Sequence, residues 1–185
     1  MPSERIRTED ATDLNFSRVI DAPRQTVFKV WTDAEHFAQW FGPREVAIPF
    51  CKIDPRPGGV LHFCHRLGDG MEVWLKGVYR DFAAPERLVF ALSFVDSSGR
   101  PAAHPMLPDW PLDTVILTTV TFADHDGKTQ LTVRQVLEPP AAAAKDAVKR
   151  ERKAAKEGWA ETLERLDEYL GAKTPHLPRA QHSAS

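Results

Sequence analysis

His62, Cys64 and His65 stand together in the chain, and Cys51 lies one stretch earlier. Imidazoles and thiolates are zinc ligands, so a metal site is the first chemistry to weigh. A structural zinc site needs four converging ligands, and the chain has neither a Cys-x-x-Cys pair nor a helical histidine pair. Strand alternation sends His62 and Cys64 to one face and His65 to the other. No metal is therefore expected. With Leu61, Phe63 and His65 facing inward, His62 and Cys64 point to solvent. His65 is then the polar group of the interior, fit for hydrogen bonding or proton transfer. Ser17, Ser93, Ser97 and Ser98 lack the Gly-x-Ser-x-Gly context of a hydrolase nucleophile. There is no P-loop and no dinucleotide fingerprint, so no cofactor is expected. Glu72 and Arg134 sit in strand patterns, as surface residues or as polar anchors of an interior.

What the chain holds in quantity is aromatic surface: five tryptophans and ten phenylalanines. Small-molecule sites are mostly apolar walls with a few placed polar groups, whereas the same rings can simply fill a core. The expected pocket wall comprises Trp31, Trp40, Phe41, Phe63 and His65. Trp74, Trp110, Trp159 and Leu163 complete it, with Trp159 the strongest single candidate.

The remaining composition narrows the function classes. A chain of 185 residues, 42% apolar and 27% charged, suffices for one domain with a real core. A net charge of −2 and a pI of about 6.4 suggest no polyanion-binding surface. The basic run Lys149 to Lys156 is broken by Glu151 and reads as a solvated helix face, so no nucleic-acid partner is expected. Two cysteines make no disulfide framework and fit a reducing compartment. Neither a signal peptide nor a run of about 20 apolar residues is visible, so a soluble, cytoplasmic protein is expected.

These residues must be positioned by secondary structure. Period-two alternation predicts strands over Leu14 to Asp21, Glu45 to Ile53, Val60 to Leu67, Met71 to Phe82, Arg87 to Val95, Thr114 to Phe122 and Thr129 to Leu137. Pro23 opens a short helix, and Thr32 or Asp33 caps a second over Ala34 to Trp40. The proline-rich stretch Asp96 to Asp113 is a lid, a binding loop or an inert crossover. From Pro139 to Gly171 the chain predicts one helix about 45 Å long. Val148, Ala155, Trp159, Leu163, Leu166 and Leu170 form its apolar stripe. Pro140 suits its first turn and Gly171 its left-handed cap. Gly158 suits a close approach. The fold class is α+β: a curved antiparallel seven-stranded sheet around the long helix, with two short helices after the first strand. The domain spans 14–171, and residues 1–13 and 172–185 are expected to be flexible tails.

Several segments carry a family resemblance. They are Arg18 to Pro23, Val27-Phe28, Trp31-Thr32, Trp40 to Pro43, Asp54 to Gly59, Gly77 to Tyr79 and Pro85 to Phe90, followed by Thr119 to Phe122, Gly127 to Thr132 and Gly158-Trp159. Together they resemble the START-like, helix-grip (SRPBCC) superfamily, in the branch named after the C-terminal domain of the activator of the heat-shock protein 90 ATPase. The resemblance implies a cavity between sheet and helix, which in members takes lipids, sterols, polyketides or other apolar ligands. It leaves three functions open. The first is non-catalytic binding of a small apolar or aromatic molecule. The second is contact with a chaperone, and the third is a cyclase, lyase or hydrolase acting in that cavity. The expected state is monomer or homodimer, without a membrane partner.

Overall fold

The period-two stretches form one antiparallel sheet. The structure, a computed structural model, describes residues 12–173. Its elements are β1 (Leu14–Ile20), α1 (Arg24–Thr32), α2 (Ala34–Trp40), β2 (Ala47–Ile53), β3 (Val60–Arg66), β4 (Glu72–Ala83), β5 (Arg87–Val95), β6 (Val115–His125), β7 (Lys128–Glu138) and α3 (Ala142–Lys173). Strand order is β1-β7-β6-β5-β4-β3-β2, so β2 to β7 form a meander and β1 joins its far edge. The hairpin between β6 and β7 closes at the pair His125 and Lys128. Asp126 (φ 52°) and Gly127 (φ 81°) both adopt positive φ there, the backbone of a two-residue turn matched to strand twist. Irregularities between Ala47 and Phe50 and between Tyr79 and Asp81 bend the edge strand β2 and the interior strand β4.

Alternation divides the sheet. Phe63, Leu75, Tyr79, Phe90, Phe122 and Val133 face the core, where they meet α1, α2 and the C-terminal part of α3. The side chain of Asp33 accepts hydrogen bonds from the Glu35 and His36 amides at 3.0 and 3.2 Å, satisfying two otherwise orphaned donors at the start of α2. Phe37 and Trp40 of α2 then face inward.

α3 departs from its expected limits at both ends. Pro139 and Pro140 precede the helix, which starts at Ala142 and runs through Gly171 to Lys173. Gly171 is helical rather than a left-handed cap. The helix is anchored twice. Leu163, Leu166 and Leu170 enter the main core, while Ala144 and Ala147 belong to a second cluster with Trp110. Small side chains there allow an indole to lie close to the helix. The Asp96–Asp113 stretch is thus a folded crossover docked on α3. Trp110 Nε1 donates to the Thr114 carbonyl at 3.3 Å. Ahead of β1, Thr12 is buried and Asp13 pairs with Arg134 at 3.0 Å. The remainder of the expected tails, 1–11 and 174–185, lies outside the described residues.

Candidate functional site

Seven of the nine expected wall residues gather between the sheet and α3. Trp31 comes from α1, Trp40 from α2, Phe41 from the turn after it, Phe63 and His65 from β3, and Trp159 and Leu163 from α3. Trp31 packs edge-on to Trp40 at 4.9 Å and stacks on Trp159 at 6.5 Å. The Phe41 ring touches Trp31, His65 and Trp159, at 5.9, 5.8 and 5.8 Å. Phe63 lies 5.1 Å from His65.

Two expected wall residues lie elsewhere. Trp74 sits between the inward-facing Val73 and Leu75, so alternation turns it to the outer face, against Phe50 and His62. Trp110 belongs to the second cluster. Cys64 is also corrected. It faces outward, yet it is fully buried, because Phe50 and Trp74 stand directly opposite it on the neighbouring strands. His62, expected in solvent, is partly covered by the same rings. Cys51 packs on the inner side, where burial, aided by the Asp33 charge, pushes its thiol up to about 12.

Two polar atoms in this interior have no partner among the described residues: Trp31 Nε1 and His65 Nε2, both shielded from solvent. Trp31 is only 1% exposed. Burial, reinforced by the positive charge of Arg165, lowers His65 to about 4, so its imidazole is neutral at pH 7. It can then donate one hydrogen bond and accept another, and it carries no charge.

A polar path also crosses the concave face. Trp159 Nε1 donates to Gln135 Oε1 at 3.1 Å, and Gln135 Nε2 donates to Thr118 Oγ1 at 3.2 Å. Thr118 and Gln135 are cross-strand partners. Sequence reasoning overlooked both. Their signal is a polar residue at an inward position: Gln135 continues the row of Leu131 and Val133, and Thr118 that of Val120 and Phe122.

Beside this interior, a groove of about 310 Å³ runs between β1 and α3, lined by Phe16, Arg18 and Leu163 among others. Arg18 pairs with Asp167 across it at 2.7 Å. Phe16 stacks on Trp159 at 5.6 Å, which stacks in turn on Trp31. Three rings thus lead from the groove to the unpartnered indole nitrogen.

Arg165 fixes α3 over the site, another residue that sequence reasoning missed. Its guanidinium donates to the carbonyls of Gly42, Pro43 and Gln39 at 2.8, 2.9 and 3.2 Å. Gly158 lets the helix approach the same turn, since a Cβ there would stand 3.3 Å from Pro43. Replacing Arg165 by methionine keeps the stem and strands these carbonyls, so stability should fall by about 2–3 kcal/mol. Lysine, a point charge without the planar fork, should restore only part. Urea denaturation measures both, and an unchanged midpoint for Arg165→Met would refute the clamp.

Residues 21–171 match the family model described as Activator of Hsp90 ATPase homolog 1-like protein. Among solved structures, a protein from Arthrobacter aurescens is 22% identical with a TM-score of 0.73, over 96% of this chain and 97% of that one. A protein from Nitrosomonas europaea is 23% identical with a TM-score of 0.70, over 89% and 98%. An AHSA1-like protein from Aeromonas hydrophila is 18% identical with a TM-score of 0.61, over 87% and 93%. At these identities the likeness establishes the fold. No curated protein matches. No helix among the described residues is long and apolar enough to cross a membrane.

Proposed function

The chain belongs to the Activator of Hsp90 ATPase homolog 1-like family of helix-grip proteins, and from that premise we propose that it binds a small, largely apolar, aromatic molecule between the sheet and α3. The observation that carries this reading is the pair of unpartnered nitrogens, Trp31 Nε1 and His65 Nε2, whose rings both pack on Phe41. Buried polar atoms are nearly always hydrogen-bonded. A ligand oxygen accepting from the indole N–H, with its body among Phe41, Phe63 and Trp159, satisfies that rule. The β1–α3 groove is the route in, with Trp159 turning aside. Binding, not catalysis, suits the chemistry, because an imidazole held at about 4 is a weak general base near pH 7. The setting is the cytoplasm, where Cys51 and Cys64 stay reduced.

Native mass spectrometry of freshly purified protein should show an apolar molecule that leaves on denaturation. Members of a lipid and aromatic panel should raise the melting temperature, less so in Trp31→Phe, which removes the donor. Repeated absence of a bound molecule, together with no shift from any panel member, would overturn the reading in favour of a chaperone-contact module.

A further inference from the structure

The outer face of the sheet carries a second arrangement that interior binding does not use. Lys52 of β2 stands opposite His62 of β3, and His62 opposite Lys76 of β4. Three nitrogen-bearing side chains thus form one row across three strands. Among the described residues, neither lysine has a carboxylate partner. The two lysines flank the imidazole, one from each neighbouring strand. His62 Nε2 is buried and has no partner among the described residues. Its ring is held in place by Phe50 at 5.3 Å and Trp74 at 5.5 Å.

The turn after β5 closes one side of this row. Gly99 sits at φ 84°, and a Cβ there would lie 3.8 Å from His62 Cε1 and 3.9 Å from Lys76 Nζ. The row and the turn border an open groove of about 600 Å³, lined by Lys52, His62, Lys76 and Val60 and reaching the inward-facing Ile53 at the β2 edge. That volume is typical of small-molecule sites. Asp54, the acid on its rim, is neutralised by Arg56 at 2.8 Å.

We propose that this outer groove binds a small organic anion, with its carboxylate or phosphate held by Lys52, Lys76 and His62 Nε2 and its apolar body against Ile53 and Val60. The Gly99 turn closes one side of the anion's surroundings, held in shape by the Ser98 hydroxyl, which donates to Asp96 at 2.6 Å. An extended acidic peptide fits less well. It would lengthen the sheet along β2, where Pro49 and the irregularity between Ala47 and Phe50 interrupt pairing.

Isothermal titration calorimetry of the full chain with phenyl phosphate, benzoate and inorganic phosphate tests the site at low and high salt. One of the two aryl anions should bind one to one, more tightly than inorganic phosphate and less tightly as salt rises. The double variant Lys52→Met, Lys76→Met should weaken it on the order of tenfold or more; if that chain does not fold, the single Gln variants carry the same test. Amide chemical shifts should move at Lys52, His62, Lys76 and Gly99. The proposal is overturned by shifts centred on Phe41 and Trp159, by wild-type affinity in the lysine variants, by the absence of binding to all three probes, or by an acidic peptide that binds where the small anions do not.

Discussion

Trp31→Ala destabilises the protein by about 3–5 kcal/mol, as expected for a fully enclosed indole in a core that cannot collapse around the gap. Trp31 meets Trp40, Phe41, Phe122 and Trp159, so the space it leaves is bounded by rigid rings from three elements. The informative comparison is with phenylalanine. Trp40 is as deeply buried, but its Nε1 donates to the Val30 carbonyl at 3.0 Å, whereas Trp31 Nε1 has no acceptor. Trp40→Phe loses packing and a hydrogen bond. Trp31→Phe loses packing and sheds an unsatisfied donor, which offsets about 1–3 kcal/mol. In urea denaturation of ligand-free protein, Trp31→Phe should therefore be the milder change. The opposite order would mean that Trp31 Nε1 is satisfied in solution, by water or by a retained molecule.

Acidification between pH 6.5 and 4 should weaken the fold by about 2–3 kcal/mol through His65 alone. Burial holds its folded-state pKa near 4, against an ordinary value of 6.5. Over that interval the unfolded chain binds the proton and the folded chain refuses it, so stability rises with pH. The contribution is complete above pH 6.5, declines as pH falls and changes no further below about 4. His104, also lowered by burial, adds a smaller slope of the same sign. Glu168, held below the usual carboxylate range by Arg44, loses its contribution at lower pH. Urea denaturation at pH 7.0, 5.5 and 4.5 measures the slope, and His65→Leu should remove most of it. A leucine variant with the wild-type slope would refute the assignment.

The periodic parts of the fold were legible because alternation and amphipathicity are local. Arg87–Val95 and Ala34–Trp40 have the expected limits, the second because Asp33 is a strong cap. The ends of α3 were not legible. Pro140 and Gly171 are good terminal residues by type, but the leucines of the main core and the Ala144–Trp110 contact set the helix limits. Trp74 and Trp110 were misplaced for a related reason. Residue type says that an indole will be covered, and only the register and the crossover say by what. The unpartnered nitrogens of Trp31 and His65 could not be read from sequence at all, because an absent acceptor is a property of the assembled interior. The row of Lys52, His62 and Lys76 was likewise hidden, since its members lie on three strands and meet only through the pairing register.

The position of β1 at the sheet edge beside β7 has a consequence for biosynthesis. Asp13, just ahead of β1, and Arg134 of β7 pair across 121 residues. At roughly 5–20 residues per second on the ribosome, the first strand waits on the order of 6–24 s before its partner exists. The β2–β7 meander can assemble hairpin by hairpin in the meantime. The first strand of the sheet to be made is thus among the last to pair, and α3, needed to cover Phe16, emerges later still. Sheet closure across that separation carries a loop-closure penalty that the local hairpins escape. Refolding should therefore be limited by docking of the N-terminal strand, and the nascent chain is most vulnerable to self-association in the interval before β7 and α3 appear.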